Sequence, residues 1–236
     1  MIKAILLVLG MCLSFAQTCL AVDAQDWDLQ GRYFYKQGDM QRSIVAFNQA
    51  IDADDKFTDS YFNRALVYVQ IKDLKAAESD FDRFLRQESE KKIFFTFDIA
   101  DIFIKNSQPD VAKKYITKAI DAQPPPKAYV LRSKINAALG KPKDALEDAS
   151  RALELDRSYN MAYYEAGNAN MLLGNYDKAL LDLNKFVDLN PDNADGLIAR
   201  AYILYKQGDK KNSLSDYNKA VAINPKYKDL IPKDLR

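Results

Sequence analysis

Small residues return along this chain at Ser43, Ala77, Ala112, Ala145, Ala179 and Ser213, at steps of 34, 35, 33, 34 and 34 residues. The bulky slot that follows (Phe47, Phe81, Ile116, Ala149, Leu183, Tyr217) keeps the same steps, as does the next one (Ala50, Phe84, Ala119, Ala152, Phe186, Ala220). A fixed period of this length marks a stacked array, in which each unit buries its apolar face on its neighbours. No other property of the sequence restricts the fold as strongly.

The residues of one period specify a helical hairpin. At 100° per residue, Tyr163, Ala166, Gly167 and Asn170 fall within about a third of a turn, giving one helix a mostly small stripe topped by an aromatic. Ala179, Leu183 and Phe186 form a second stripe after the break at Gly174-Asn175. Gly174 can leave the helical region without a Cβ penalty, and Pro191 cannot continue the second helix because it lacks an N–H. This aromatic–small–glycine–alanine–proline pattern resembles the tetratricopeptide repeat (TPR) family. The resemblance covers Ala24 to Tyr227, six units, and implies an all-α fold: a right-handed superhelical solenoid of antiparallel helix pairs.

Taken in order, the chain begins with Lys3, then thirteen mostly apolar residues from Ala4 to Ala16, then Cys19-Leu20-Ala21. That is the form of a secretory signal peptide, with cleavage after Ala21 or after Ala24. The apolar run is shorter than the ~20 residues a membrane span requires. Cys12 follows Met11 and Cys19 follows Thr18, where a lipoprotein signal prefers a small residue. The expected divisions are a signal over 1–21, a six-repeat domain over 24–227 and a short C-terminal tail over 228–236. Both cysteines lie in the leader, so no disulfide framework is expected. No Asn-x-Ser/Thr acceptor occurs either, which points to a bacterial source and to a periplasmic or secreted destination.

The units differ in fidelity. The second has Lys72-Asp73 in place of the loop glycine. The third has Thr96 for the first aromatic and Ser107 for the glycine, and its register slips by one residue and recovers. Gly31 and Gly167 occupy the close-packing slot and Gly38, Gly140, Gly174 and Gly208 the loop slot, which leaves Gly196 without a role. Pro124-Pro125-Pro126 reads as a stiff turn between repeats rather than a domain boundary. After the last unit, Leu230, Ile231 and Leu235 are expected to cover part of Val221, and thin cover there would favour a homo-oligomer through the C-terminal end.

The composition excludes most chemistry. With no histidine, and cysteine only in the leader, there is no Ser-His or Cys-His pair and no zinc site of the usual kind. The acidic pairs Asp54-Asp55 and Asp98/Asp101 lie on a loop and on a helix face, without a pocket to shift their pKa. Catalytic residues, metals and cofactors are therefore not expected. A formal net charge of +1 gives no case for nucleic acid as partner, and no membrane segment remains after leader cleavage.

A second face of each first helix has no duty within its hairpin: Tyr164, Asn168 and Met171 lie about 110–120° from the packing stripe. In the family this face lines a concave groove that holds peptides or partner segments. The resemblance thus implies a non-catalytic interaction scaffold with a protein or peptide partner. Its candidate contacts are Arg32, Tyr35, Phe62, Asn63, Phe94, Phe97, Asp101, Lys134, Tyr164, Asn168, Tyr202 and Tyr205. Some members bind a terminal carboxylate through a lysine–asparagine–asparagine–lysine–arginine clamp. Only Asn63 matches it, the other slots holding Asp28, Arg32, Phe94 and Asp98, so that mode is not expected. The run Ile93 to Phe97 is the densest aromatic cluster. It reads either as a ligand anchor with Phe94 and Phe97 on the groove side, or as padding in which Phe95 replaces the missing first aromatic. Self-assembly through the array ends, or service to a cell-envelope enzyme, are the alternative roles.

Overall fold

The computed structural model describes residues 23–86, 94–122 and 125–235. The expected leader therefore lies outside the described residues, as does Ile93 of the aromatic run. The described residues form twelve α-helices and no strand: α1 Ala24–Lys36, α2 Met40–Ala53, α3 Asp59–Gln70, α4 Leu74–Leu85, α5 Phe95–Lys105, α6 Pro109–Ala122, α7 Pro126–Ala138, α8 Pro142–Leu155, α9 Asn160–Leu172, α10 Tyr176–Leu189, α11 Ala194–Lys206 and α12 Lys210–Ile223. Two 3-10 turns follow, Pro225–Leu230 and Lys233–Leu235. None of these helices is long and apolar enough to cross a membrane.

Every odd-numbered helix packs on the next even one, so the fold is a tandem series of helix pairs. The chain divides into two compact units, Met1–Ser89 and Glu90–Arg236. The division falls near the register slip of the third repeat, and not at the three prolines. In the first unit α2 also packs on α3, and α1 on α3. In the second the same relation runs from α5 to α12, with α7 against α9 and α9 against α11.

The alanine slots are the contact surfaces. Ala77, Ala112, Ala145 and Ala179 are fully buried, with Phe47, Phe81, Leu183 and Phe186 filling the space they leave. Gly196 has a role after all. A Cβ there would lie 2.5 Å from the Phe186 ring, so α11 approaches α10 as Gly31 approaches Phe47 in the first unit. Where the slot holds serine, its hydroxyl bridges the pair: Ser43 Oγ donates to the Gly31 carbonyl at 2.8 Å and Ser213 Oγ to that of Ala201 at 2.8 Å.

All six hairpin turns share one cap. The residue after the turn position donates its N–H to the carbonyl five residues earlier: Asp39 to Phe34, Asp73 to Tyr68, Gln108 to Phe103, Lys141 to Asn136, Asn175 to Asn170 and Asp209 to Leu204, at 2.8–3.0 Å. That bond requires a left-handed residue before the donor. Lys72 at φ 66° and Ser107 at φ 58° adopt this conformation without being glycine. At the start of α5 in the third repeat, Thr96 takes the buried slot, while Phe95 stays 37% exposed and so does not replace the missing aromatic.

A second rhythm overlies the first. Arg64, Arg132 and Arg200, 68 residues apart, each clasp the aspartate sixteen residues on: Asp80, Asp148 and Asp216. The clasps are bidentate, with N···O distances between 2.6 and 3.1 Å. Arg64 and Arg200 also reach back sixteen residues to Asn48 and Asn184 on the preceding hairpin.

Lys72→Gly and Ser107→Gly are each expected to stabilise their unit by about 1 kcal/mol, relieving left-handed strain in an L residue. Gly196→Ala should destabilise by about 1–3 kcal/mol through overpacking against Phe186. Thermal denaturation checks both signs, with shifts of about 2–4 °C per kcal/mol for a chain of this size.

Candidate interaction groove

In the first unit the candidate residues meet at a buried carboxylate. Asp28, only 2% exposed, accepts from Ser60 Oγ at 3.0 Å and from Asn63 Nδ2 at 2.8 Å, and pairs with Arg32 Nε at 2.9 Å. Asn63 and Arg32 are thus held by the aspartate, joining α1 to α3. Phe62, half-buried, packs its ring against Phe81 and Phe84 of α4, with centroids 5.5 and 4.9 Å away. Tyr35 is half-buried on α1.

In the second unit, Phe94 caps the start of α5 and is 70% exposed. Phe97 on the first turn of α5 lies 5.1 Å from the Lys127 ammonium of α7. Asp101 pairs with Lys105 one turn along the same helix. Val130, on the corresponding slot of α7, is buried with Ala152 and Ala162 between hairpins. Lys134, Ile104 and Ser107 line a cavity of about 340 Å³ beside Ile135.

The groove slots of α9 and α11 come together. Tyr164, Asn168, Met171 and Leu172 from α9, and Asp195, Ile198, Ala199 and Tyr202 from α11, line a concavity of about 700 Å³. Tyr217 of α12 and Leu230 complete it. Two successive first helices bring their equivalent faces side by side, because α9 packs on α11 as well as on its own partner. The Tyr164 ring leans on Phe186 with centroids 5.0 Å apart. Burial pushes the Tyr164 hydroxyl up from its ordinary value, its hydrogen bond with Asn168 acting against this. The surface is thus an apolar, tyrosine-rich hollow with hydroxyl and amide groups to orient a ligand, the usual make-up of a binding pocket.

Two residues near this face had no place in the sequence reading, Glu165 and Asp234, and two had a different one, Tyr217 as a packing slot and Leu230 as cover for Val221. Glu165, next to Tyr164 on α9, is 5% exposed. Burial pushes its carboxyl up to about 7, with Lys134 pulling the other way. Tyr205, one turn beyond Tyr202, donates its hydroxyl to Asp234 at 2.9 Å.

The tetratricopeptide repeat model matches residues 29–90, 97–160, 137–194 and 164–228, together most of the chain. The chain belongs to the tetratricopeptide repeat family. TPR proteins are protein-interaction scaffolds. Among curated relatives, a TPR repeat-containing protein of Methanocaldococcus jannaschii is 22% identical over 170 residues, covering 72% of this chain and 30% of that protein. Hsp70-Hsp90 organizing protein 2 of Arabidopsis thaliana is 30% identical over 96 residues, which is 40% of this chain and 17% of its own length. The chain therefore spans less than a third of either relative. Among solved structures, a tetratricopeptide repeat protein from Parabacteroides merdae superposes with a TM-score of 0.65 at 14% identity, covering 88% of this chain and 86% of that one. The Cut9-Hcn1 hetero-tetramer matches with a TM-score of 0.60 at 16% identity, over 97% of this chain and 46% of that one. Both likenesses show the TPR fold.

The Glu165 carboxyl supplies a pH test of the site's burial. Its folded value of about 7 stands above the ordinary 4.5, so folding favours the protonated form. The stability this confers is fully present below 4.5 and is lost as the pH rises through 7, a change on the order of 3 kcal/mol. Denaturant unfolding between pH 4.5 and 8 should show that decline, and Glu165→Gln should flatten it.

Proposed function

We propose that this TPR protein is a non-catalytic scaffold that binds an extended peptide or a partner segment along the first-helix face, outside the cytoplasm. One observation carries the binding reading. Tyr164, Asn168, Met171, Ile198 and Tyr202, all on the face left free by hairpin packing, converge on a single open hollow of about 700 Å³. Aromatic side chains in such a hollow are the usual anchors of a contact surface. Self-association through the array end is less well supported, since the turn Pro225–Leu230 packs on α12.

The extracytoplasmic part of the reading rests on the leader pattern of Lys3, the apolar run and Ala21. The start of α1 favours one of the two cleavage points. Asp23 is its N-cap, its side chain accepting the Asp26 N–H at 2.8 Å. Cutting after Ala24 would remove this cap, whereas cutting after Ala21 keeps it. N-terminal sequencing from the native host should therefore give Val22. A chain that retains Met1 in the cytosolic fraction would end this part of the proposal.

For the groove, the partner is captured with the full chain from an envelope extract and its affinity measured against variants. Tyr164→Ala and Phe97→Ala should each weaken binding by about 2 kcal/mol, some thirtyfold, with the fold intact by circular dichroism. Lys134→Ala should change mainly the association rate and its salt dependence. Normal binding by both aromatic variants, with loss in Lys134→Ala, would make the site electrostatic instead.

A further inference from the structure

The segment that follows α12 runs along α11 in three tethered steps. The Tyr227 hydroxyl donates to Asp195 in the first turn of α11. Leu230 then lines the hollow beside Ile198 and Tyr202, remaining 53% exposed. Four residues further on, the Asp234 carboxylate accepts from the Tyr205 hydroxyl at 2.9 Å and from the Lys210 ammonium at 2.7 Å. The contacts on α11 advance in the same order, from Asp195 through Ile198 and Tyr202 to Tyr205. The expected cap over Val221 is therefore in part something else: a segment of two short 3-10 turns lying on the groove face.

We propose that the groove takes a peptide with a leucine-like side chain followed about four residues later by a carboxylate, and that Pro225–Leu235 holds this site as an internal competitor. This rests on the groove reading above and names the chemistry of its ligand. The hollow is apolar where Leu230 meets it. The next turn of α11 and the start of α12 present Tyr205, Lys206, Lys210 and Lys211, with Asp209 the acidic group among them. Lys210 first, and Tyr205 second, hold the Asp234 carboxyl below its usual range, so the pair is suited to a carboxylate. Tyr227 anchors the start of the segment on Phe186, Val187, Leu197 and Ala220, but beyond it the attachment is weak enough to be displaced. Its ion pair is exposed, and exposed pairs contribute little net stability. Its leucine is only half covered. Tethering compensates by giving the segment a high effective concentration at its own site.

The test uses a fluorescently labelled synthetic peptide of Pro225–Leu235 and the full chain, read by anisotropy. In the parent, the tethered copy should keep the peptide out. The double variant Leu230→Ala/Asp234→Asn, folded by circular dichroism, should release its own segment and bind the labelled peptide at least tenfold more tightly. That gain should disappear for a peptide with Asp234→Asn, for a scrambled peptide, and when Lys210→Ala is added to the double variant. Equal binding by parent and double variant, or binding indifferent to the carboxylate or to sequence order, overturns the proposal. The captured partner keeps the two readings apart. If Tyr164→Ala weakens the partner while the double variant gains nothing, the groove reading stands and the internal-competitor reading falls. If Tyr164→Ala leaves the partner's binding unchanged, the groove reading falls on its own evidence.

Discussion

Close approach between neighbouring helices is the condition on which every other feature depends. A helix pair can bring its backbones together only where one side has shed its side chains. Here that side is alanine at Ala77, Ala112, Ala145 and Ala179, serine at Ser43 and Ser213, and glycine where Phe47, Leu183 and Phe186 press closest. The bulky residues then complete a dense interior, and dispersion and burial follow from the fit. Because that requirement consumes one face of each first helix, a second face about a third of a turn away is released from duty within the hairpin. The hollow between α9 and α11 is a product of this division of labour.

Polar groups inside the array are organised with equal care. The three arginine–aspartate clasps replace apolar contact with a directional, two-point bond between the helices of one hairpin. Such pairs contribute little net stability once desolvation is counted, though breaking one leaves an unmatched charge. Asp28 is treated in the same manner, with three donors converging on it from two helices. A carboxylate on the groove face can therefore belong to the interior rather than to a ligand.

The period made the architecture legible, since the spacing of small and bulky slots dictates helices, turns and their pairing without reference to tertiary detail. It also placed Tyr164, Asn168 and Tyr202 on one face, because equivalent slots of stacked units must align. It could not say which slots stay open. Val130 and Asp28 occupy the same slot as Tyr164, yet both are buried, their fate being set by neighbours on the adjoining hairpin. Lys72 and Ser107 hold left-handed turns because the cap geometry overrides local preference. The path of the chain beyond Tyr227 was out of reach for a simpler reason: the period ends there, and a short tail without a period carries no register. Gly196 likewise has its meaning only against the Phe186 ring.

The spacing of the arginine clasps has a consequence for how such an array can be edited. Arg64 and Arg200 each grip an asparagine on the hairpin before them as well as the aspartate within their own. Ala166 occupies the arginine slot of the intervening hairpin in the second unit, and at the hairpin before it Lys113 bonds Asn136 across the junction. Excising one hairpin would join faces that were never matched, and Arg200 would meet Ser150 in place of Asn184. Excising two would set it against Thr117, because this slot holds asparagine at Asn48 and Asn184 but Asp82, Thr117 and Ser150 between them. Each aspartate clasp travels with its own hairpin, whereas the backward grip belongs to one particular junction, so a graft that carries Arg200 has to carry Asn184 and its hairpin with it.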